Sequence, residues 1–515
     1  MGIAQRGQSA WKATAALCSL LLITACVPSG QDDPGSEETV SAPAEAIADA
    51  PQPLMEFYSQ TIVWEPCEET FTCATIEVPM NYENPEGKTL EIEAIRLAAS
   101  GSDPMGSLLI NPGGPGASGY DAVLNNASGI STERLRSSYD LIGFDPRGVK
   151  RSSPVECLSD DERDKFRAET FDLETKQGLA EARTAVADFA SQCAQHTGQK
   201  LEHVDTESSA RDMDIIRAVV GEDKLNYLGF SYGSSLGATY AETFPANVGR
   251  MVLDGGIDQT LTSSEIVLGQ ANGFERTLHA YAQSCLEQPS CPLSGTPDEA
   301  VQQIRSLIES VEQSPMTAEN GRTVTASLFV SGLILPLYND RNWPSLTASL
   351  EAAFKGNPSP MLHLADISAT RQQDGSYSSN SSAAFTSVNC LDYPMNLGLE
   401  EMRANAEQLD EASPTLGRFL AYGALTCNAW PYDAEDGPST VDASGANPIV
   451  VVGTTGDPAT PYDWSVALAG QLESGVLVSW EGQGHTAYGR SNDCIANAVD
   501  DYFIEGTVPD DGTRC

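Results

Sequence analysis

Basic residues are scarce in this chain. Lysine and arginine together number 29 against 72 aspartates and glutamates, for a formal net charge of −43. Nucleic-acid binding needs a basic footprint that replaces the counterions of the phosphate backbone, so DNA and RNA are excluded as partners. The same acidity opposes electrostatic adhesion to anionic lipid. It suits solubility, or a field that draws in cationic ligands such as peptide amino termini. Histidine is scarcer still, with five in 515 residues. Neither C-x-x-C nor a histidine cluster occurs, so no metal site is expected, and no organic cofactor is called for. No internal repeat is visible.

Residues 1–25 read as a leader. Arg6 and Lys12 supply a positive end, and Ala13 to Ile23 an apolar core too short for a comfortable membrane span. The stretch ends in Ile23-Thr24-Ala25-Cys26, which resembles a bacterial lipobox. This predicts Cys26 as the lipidated first residue of the mature chain; ordinary cleavage with a spare thiol is the alternative. The expected location is the outer face of the cell membrane or envelope, held by the lipid, with release outside the cell as a variant. Cysteine usage agrees with export. Apart from Cys18 and Cys26, the remaining cysteines are even in number and fall in sequence-adjacent pairs. These are Cys67 with Cys73, Cys157 with Cys193, Cys285 with Cys291, Cys390 with Cys427 and Cys494 with Cys515. Proximity alone suggests those pairings, as disulfides of an oxidising compartment. Residues 26–53 are rich in Pro, Ala, Ser and acid and read as a disordered tether.

From Thr89 the pattern becomes strand-like. Leu90 to Leu97 alternates apolar and polar, as a half-buried strand should. The apolar runs Ser107–Ile110 and Asp140–Phe144 each end in a Gly/Pro loop, which suits central strands of a covered parallel sheet. A helical stretch from Ser208 to Val220 leads to another run, Leu225–Leu228, and Arg250–Asp254 is the next strand. Strand character returns at Pro448–Gly453 and Gly475–Trp480. Between these groups, Thr296-Pro297-Asp298-Glu299 forms a capping box ahead of a helical stripe of Val301, Ile304, Ile308 and Val311. The chain therefore divides into a first α/β part at 54–257, a mainly helical insertion at 258–445 and a second α/β part at 446–515. In such folds the active loops lie at the carboxyl ends of the strands.

Gly229-Phe230-Ser231-Tyr232-Gly233 follows a strand and opens a helix, the context of the nucleophile elbow of α/β-hydrolases. A serine hydroxyl needs a base, and the base needs an acid to orient it. Of the five histidines, His485 lies in a glycine loop, Gly482-Gln483-Gly484-His485-Thr486, just beyond the last apolar strand. Asp457, in Gly456-Asp457-Pro458-Ala459-Thr460-Pro461, follows the strand before it and is the expected acid; Asp463 is its competitor. Thr460 is expected to brace the carboxylate. The oxyanion requires two preorganised N–H groups. Tyr232 supplies one, and the loop Asn111-Pro112-Gly113-Gly114-Pro115-Gly116 supplies the other, through Gly114 in preference to Gly113. No Gly-Lys-Ser/Thr follows that loop, so it is not a phosphate loop.

Together, Asn111-Pro-Gly-Gly-Pro-Gly116, Asp145-Pro146-Arg147-Gly148, Gly229-Phe-Ser-Tyr-Gly233 with Leu236-Gly237 and Phe244-Pro245, and Asp457-Pro458-x-Thr460-Pro461 resemble the prolyl/tripeptidyl aminopeptidase family. The similarity is greatest to its actinobacterial exported tripeptidyl-aminopeptidase branch, which includes mycobacterial envelope protease and carboxylesterase lipoproteins, and it covers about residues 55–515. The resemblance implies an α/β-hydrolase fold with a helical lid. It also implies an acyl-enzyme on Ser231, and a monomer that releases short peptides, tripeptides above all, from peptides with a free amino terminus. Acids near the lid capture the substrate ammonium in that family. Asp392 stands where the branch has a Cys-x-Asp segment and is the candidate here. A carboxylesterase or lipase acting on esters is the main alternative, since the same triad serves both bonds. A catalytically silent binding protein on the same scaffold is the more distant one. One departure is Lys150, which stands where the pattern has a second glycine; a lysine there is strained if the backbone needs φ > 0.

Overall fold

Alternation and apolar runs translate directly into one central sheet. The computed structural model describes residues 37–48, 50–434 and 437–515, so the 1–25 leader and the lipidation site at Cys26 lie outside the described residues. β1 (Glu38–Ser41), β2 (Thr61–Pro66), β3 (Phe71–Pro79) and β4 (Thr89–Leu97) pair antiparallel in sequence. In β4, Leu90, Ile92 and Ala94 are buried while Thr89 and Glu91 are exposed. β5 (Ser107–Asn111), β6 (Asp140–Phe144), β7 (Leu225–Phe230) and β8 (Val248–Asp254) follow. After a small ribbon of β9 (Met316–Thr317) and β10 (Thr323–Val324) come β11 (Ile449–Gly456), β12 (Gly475–Gln483) and β13 (Thr513–Arg514). The order across the sheet is β1-β2-β3-β4-β6-β5-β7-β8-β11-β12-β13. From β6 to β13 every pairing is parallel.

Parallel strands are buried on both faces, and successive residues must feed opposite cores. Leu108 and Ile110 join a cluster with Val123, Val499 and Phe503, whereas Leu109 joins one with Met213, Ile216 and Leu236. The helices Gly119–Ile130 and Asp493–Glu505 therefore cover one face, and Thr206–Val219, Tyr232–Thr243 and Tyr462–Gln471 the other. Between β8 and β11 the chain runs mainly through helices, among them Ser263–Leu286, Pro297–Gln313, Trp343–Phe354 and Ser381–Asp392. Val301, Ile304, Phe329 and Leu350 give this region its own apolar core.

Two expectations bear on what lies around the sheet. The reading of residues 26–53 as a disordered tether is corrected from Glu38 onward. β1 adds to the edge of β2 with Glu38 opposite Trp64 and Ser41 opposite Thr61, and Glu38 pairs with Arg96 at 2.5 Å. The β-branched Thr39 and Val40 suit an edge strand, and Ala46 is buried where its carbonyl accepts from Arg217 at 3.1 Å. Five disulfides join the five neighbouring cysteine pairs. Among the described residues no helix is long and apolar enough to cross a membrane.

Candidate active site

β5 and β7 are neighbours whose connections leave in opposite directions across the sheet, which opens a crevice at their carboxyl ends. Asn111 of β5 lies opposite Gly229 of β7, so the glycine loop and the elbow emerge side by side. Ser231 sits between strand and helix at φ 57° and ψ −123°, a conformation costly for a non-glycine residue and typical of functional turns. The loop is pressed against it. A Cβ built on Gly113 would come within 2.9 Å of the Ser231 Cβ and 3.1 Å of the Tyr232 amide nitrogen. No side chain fits there.

The loop also separates its two glycine amides. Gly113 N–H donates to the Asn111 Oδ1 at 2.8 Å. Among the described residues the amides of Gly114 and Tyr232 have no such acceptor, and both residues line the same cavity. Gly114 is thus the better placed donor of the two candidates, with Tyr232 as its partner.

Asp457 and His485 meet although they arise from different strands. The His485 Nδ1 lies 2.9 Å from each carboxylate oxygen of Asp457. The carboxylate is buried, and three amides also bind it: Ala459 and Thr460 at Oδ1, both at 2.9 Å, and Thr486 at Oδ2, at 3.0 Å. Asp463, the competitor, is exposed in the first turn of the Tyr462–Gln471 helix. Thr460 reaches both members of the pair. Its backbone amide braces the carboxylate, while its hydroxyl sits 3.3 Å from His485 Nδ1. Among the described residues Ser231 makes no side-chain hydrogen bond to His485. What joins them is Asp254-Gly255: the Asp254 carbonyl accepts the Ser231 amide at 2.8 Å, and a Cβ on Gly255 would lie 3.4 Å from His485 Cε1. Unliganded hydrolases commonly hold this last contact loosely.

The inserted region reaches the base too. Tyr338 accepts the His485 amide on its carbonyl at 2.8 Å, and its ring stands edge-on to the imidazole at 5.5 Å. Arg341 donates to the Arg490 carbonyl at 2.6 Å, and Arg490 pairs with Asp340 at 3.0 Å.

A cavity of about 1590 Å³ opens beside Gly114 and Tyr232, walled by core residues 202–211 and by the 385–409 region of the insertion. Asp392 lines it, but its carboxylate is already engaged. Thr206 donates its amide to Oδ1 at 2.9 Å and its hydroxyl to Oδ2 at 2.6 Å. The same hydroxyl lies 2.5 Å from the Tyr232 phenol. Burial pushes the Asp392 carboxyl up to about 7, against the opposing pull of the Thr206 bonds.

Behind the site, the Asp145-Pro-Arg-Gly148 loop is fixed by a buried ion pair. Arg147 is 1 % exposed and meets Asp212 through Nε at 2.7 Å and Nη2 at 2.5 Å. Its remaining protons go to the carbonyls of Pro79, Met80 and His203. Lys150 does adopt φ 43°. The strain is held by Asn380, which accepts the Lys150 amide at 2.8 Å, and by an ion pair from its ammonium to Asp121. Thr206, Asp254 and Tyr338 escape a reading of the sequence. Only Asp254 carries a signal there, an acid closing an otherwise apolar strand.

A strained serine at a strand–helix turn, facing a glycine loop and a paired His–Asp on a mostly parallel sheet, defines an α/β-hydrolase. Residues 413–515 match the family described as TAP-like protein. The chain is 36% identical over 481 residues to Serine protease Hip1 of Mycobacterium tuberculosis, covering 88% of this chain and 91% of that one. It is 35% identical over 494 residues to Carboxylesterase B of the same organism, covering 94% and 93%. Tripeptidyl aminopeptidase of Streptomyces lividans is 29% identical over 472 residues, covering 88% and 86%. The chain belongs to the TAP-like family of α/β-hydrolases that holds these enzymes.

Proposed function

We propose that the protein is a serine exopeptidase that releases short peptides, tripeptides above all, from free amino termini. Ser231 Oγ attacks the scissile carbonyl while His485 takes its proton at Nε2, and Asp457 holds the Nδ1–H and stabilises the imidazolium. The amides of Gly114 and Tyr232 bind the oxyanion. The leaving amine departs with the proton from His485, and water then cleaves the acyl-enzyme by the same route.

The acid-rich wall of the cavity is the observation that carries the choice of an amino-terminal substrate. Asp205, Asp392, Glu202 and Glu242 line it, and among the described residues the one arginine in that wall, Arg211, is paired with Glu207. A substrate ammonium entering there meets carboxylates rather than cations, and Asp392, whose ionised form the bound ammonium would favour, is its candidate ligand. The test compares a tripeptidyl amide with its N-acetylated form and a short-chain ester. The free amine should be cleaved with a kcat/KM at least about 100-fold above that of the acetylated amide, roughly the value of a desolvated charge pair. Equal rates would refute the reading. Faster turnover of the ester than of any peptide would favour the carboxylesterase alternative, which the relative named Carboxylesterase B supports.

The leader and lipobox support an exported protein anchored through lipid on Cys26. Cys26→Ser should move it from the membrane fraction to the soluble fraction. The protein is expected to act as a monomer, which size-exclusion chromatography with light scattering checks.

A further inference from the structure

The turn that follows the base is held by an unusual arrangement of carboxylates. Thr486, next to His485, is at φ 63°, a strained value for a β-branched residue. Three successive amides leave this turn, and each ends on an acid. Thr486 N–H donates to Asp457, while Ala487 and Tyr488 donate to Asp254. The Ala487 amide is shared between the two Asp254 oxygens at 2.9 and 3.0 Å, and the Tyr488 amide meets Oδ2 at 2.7 Å. Asp254 is fully buried, and among the described residues it pairs with no lysine or arginine. A buried carboxylate without a cation is destabilising unless N–H donors compensate it. Its backbone carbonyl meanwhile holds the Ser231 amide.

We propose that Asp254 is a positioning residue for the hydrolytic reaction, tying the turn after the base to the elbow that carries the nucleophile. Its carbonyl fixes the serine side and its carboxylate fixes the histidine side, so one residue sets the distance between them. This rests on the reading of Ser231 and His485 as nucleophile and base. Asparagine is an imperfect replacement: its oxygen can take the Oδ2 place and accept both amides, but its NH₂ then stands opposite the Ala487 amide, which must donate. Burial pushes the Asp254 carboxyl up to about 7, and the Tyr488 and Ala487 amides pull it back. The charged groups around it are His485, Asp457 and, from the far side of the loop, Arg490.

The test measures Asp254→Asn and His485→Ala beside the wild type, by steady-state kinetics on a tripeptidyl amide and by the rate of fluorophosphonate labelling per folded molecule. For Asp254→Asn, kcat should fall about 100-fold, the effect expected of a small misplacement of the base. KM should change less than about twofold because the substrate cavity is untouched. The acid limb of kcat/KM should move to lower pH, since a negative charge near the imidazolium is lost. Wild-type kcat and labelling rate with only a lower melting temperature would overturn the proposal and leave Asp254 a purely structural residue. If His485→Ala still labels like wild type, the base assignment itself fails, which is a separate result. Should Asp254→Asn not fold, hydrogen exchange on the wild type decides. The Ala487 and Tyr488 amides should be strongly protected, and exchange at the rate of an open loop would refute the clamp.

Discussion

Asp457, buried beside His485, and Asp392, in the wall of the neighbouring cavity, are held in different ways. Asp457 receives amides from its own turn and from the turn after His485, all at the carboxyl ends of adjacent strands β11 and β12. Asp392 belongs to the inserted helices and depends on a single residue, Thr206, 186 positions away. The sheet side is a rigid mould for the reacting atoms, set by backbone hydrogen bonds. The inserted side meets it through side chains such as Asp392 and through the Tyr338 carbonyl, and under the proposed function it is the side that selects the substrate. Changes on the sheet side should therefore lower kcat, and changes on the lid side should act through KM.

The largest effects belong to the sheet side. Ser231→Ala and His485→Ala should each reduce kcat by ~10⁴ to 10⁶ without lowering the melting temperature, as measured by steady-state kinetics and calorimetry. A smaller loss follows from Gly113→Ala, whose methyl would displace the donor loop from the elbow. The cost of a lost oxyanion contact is about 10²- to 10³-fold in kcat. If KM rather than kcat changed, the loop would belong to substrate binding.

The lid side should respond more gently. Asp392→Asn should raise KM for free amino termini about tenfold, the value of a partly solvated ion pair, and leave kcat and the N-acetylated substrate alone. The same variant tests a pH dependence of stability. Because the folded-state carboxyl of Asp392 is raised from 3.8 to about 7, the stability it contributes is complete below about pH 4 and is lost as pH rises through 7. The wild-type melting temperature should fall over that interval, and fall less steeply in Asp392→Asn. An unchanged slope would mean the group titrates normally. The smallest activity change is expected for the double replacement of Cys390 and Cys427 by serine. Removing that bridge should cost roughly 2–4 kcal/mol of stability, read by denaturant unfolding, with KM raised only a few-fold because Asp392 is two residues away.

What could be read from the sequence follows the same division. Ser231, Asp457, His485 and the 111–116 loop lie in short segments where glycine and proline punctuate apolar runs, and that pattern is local. The cysteine pairs are also local. Thr206 and Tyr338 carry no local mark of what they touch, and Asp254 carries only an acid closing an apolar strand; the sheet order brings β8 to the His485 turn, and the packing of the inserted region brings the 338–341 segment there. The strand at Glu38 was hidden by its polar, acidic surroundings, and pairing with β2 overrides that composition.

The account turns on Ser231 being the nucleophile that the His485–Asp457 pair activates. Intact-mass spectrometry after treatment with a fluorophosphonate tests this most directly. The folded protein should gain one adduct, mapped to the peptide that carries Ser231, and His485→Ala should gain it far more slowly. No adduct on folded protein, or an adduct on another residue, would contradict it.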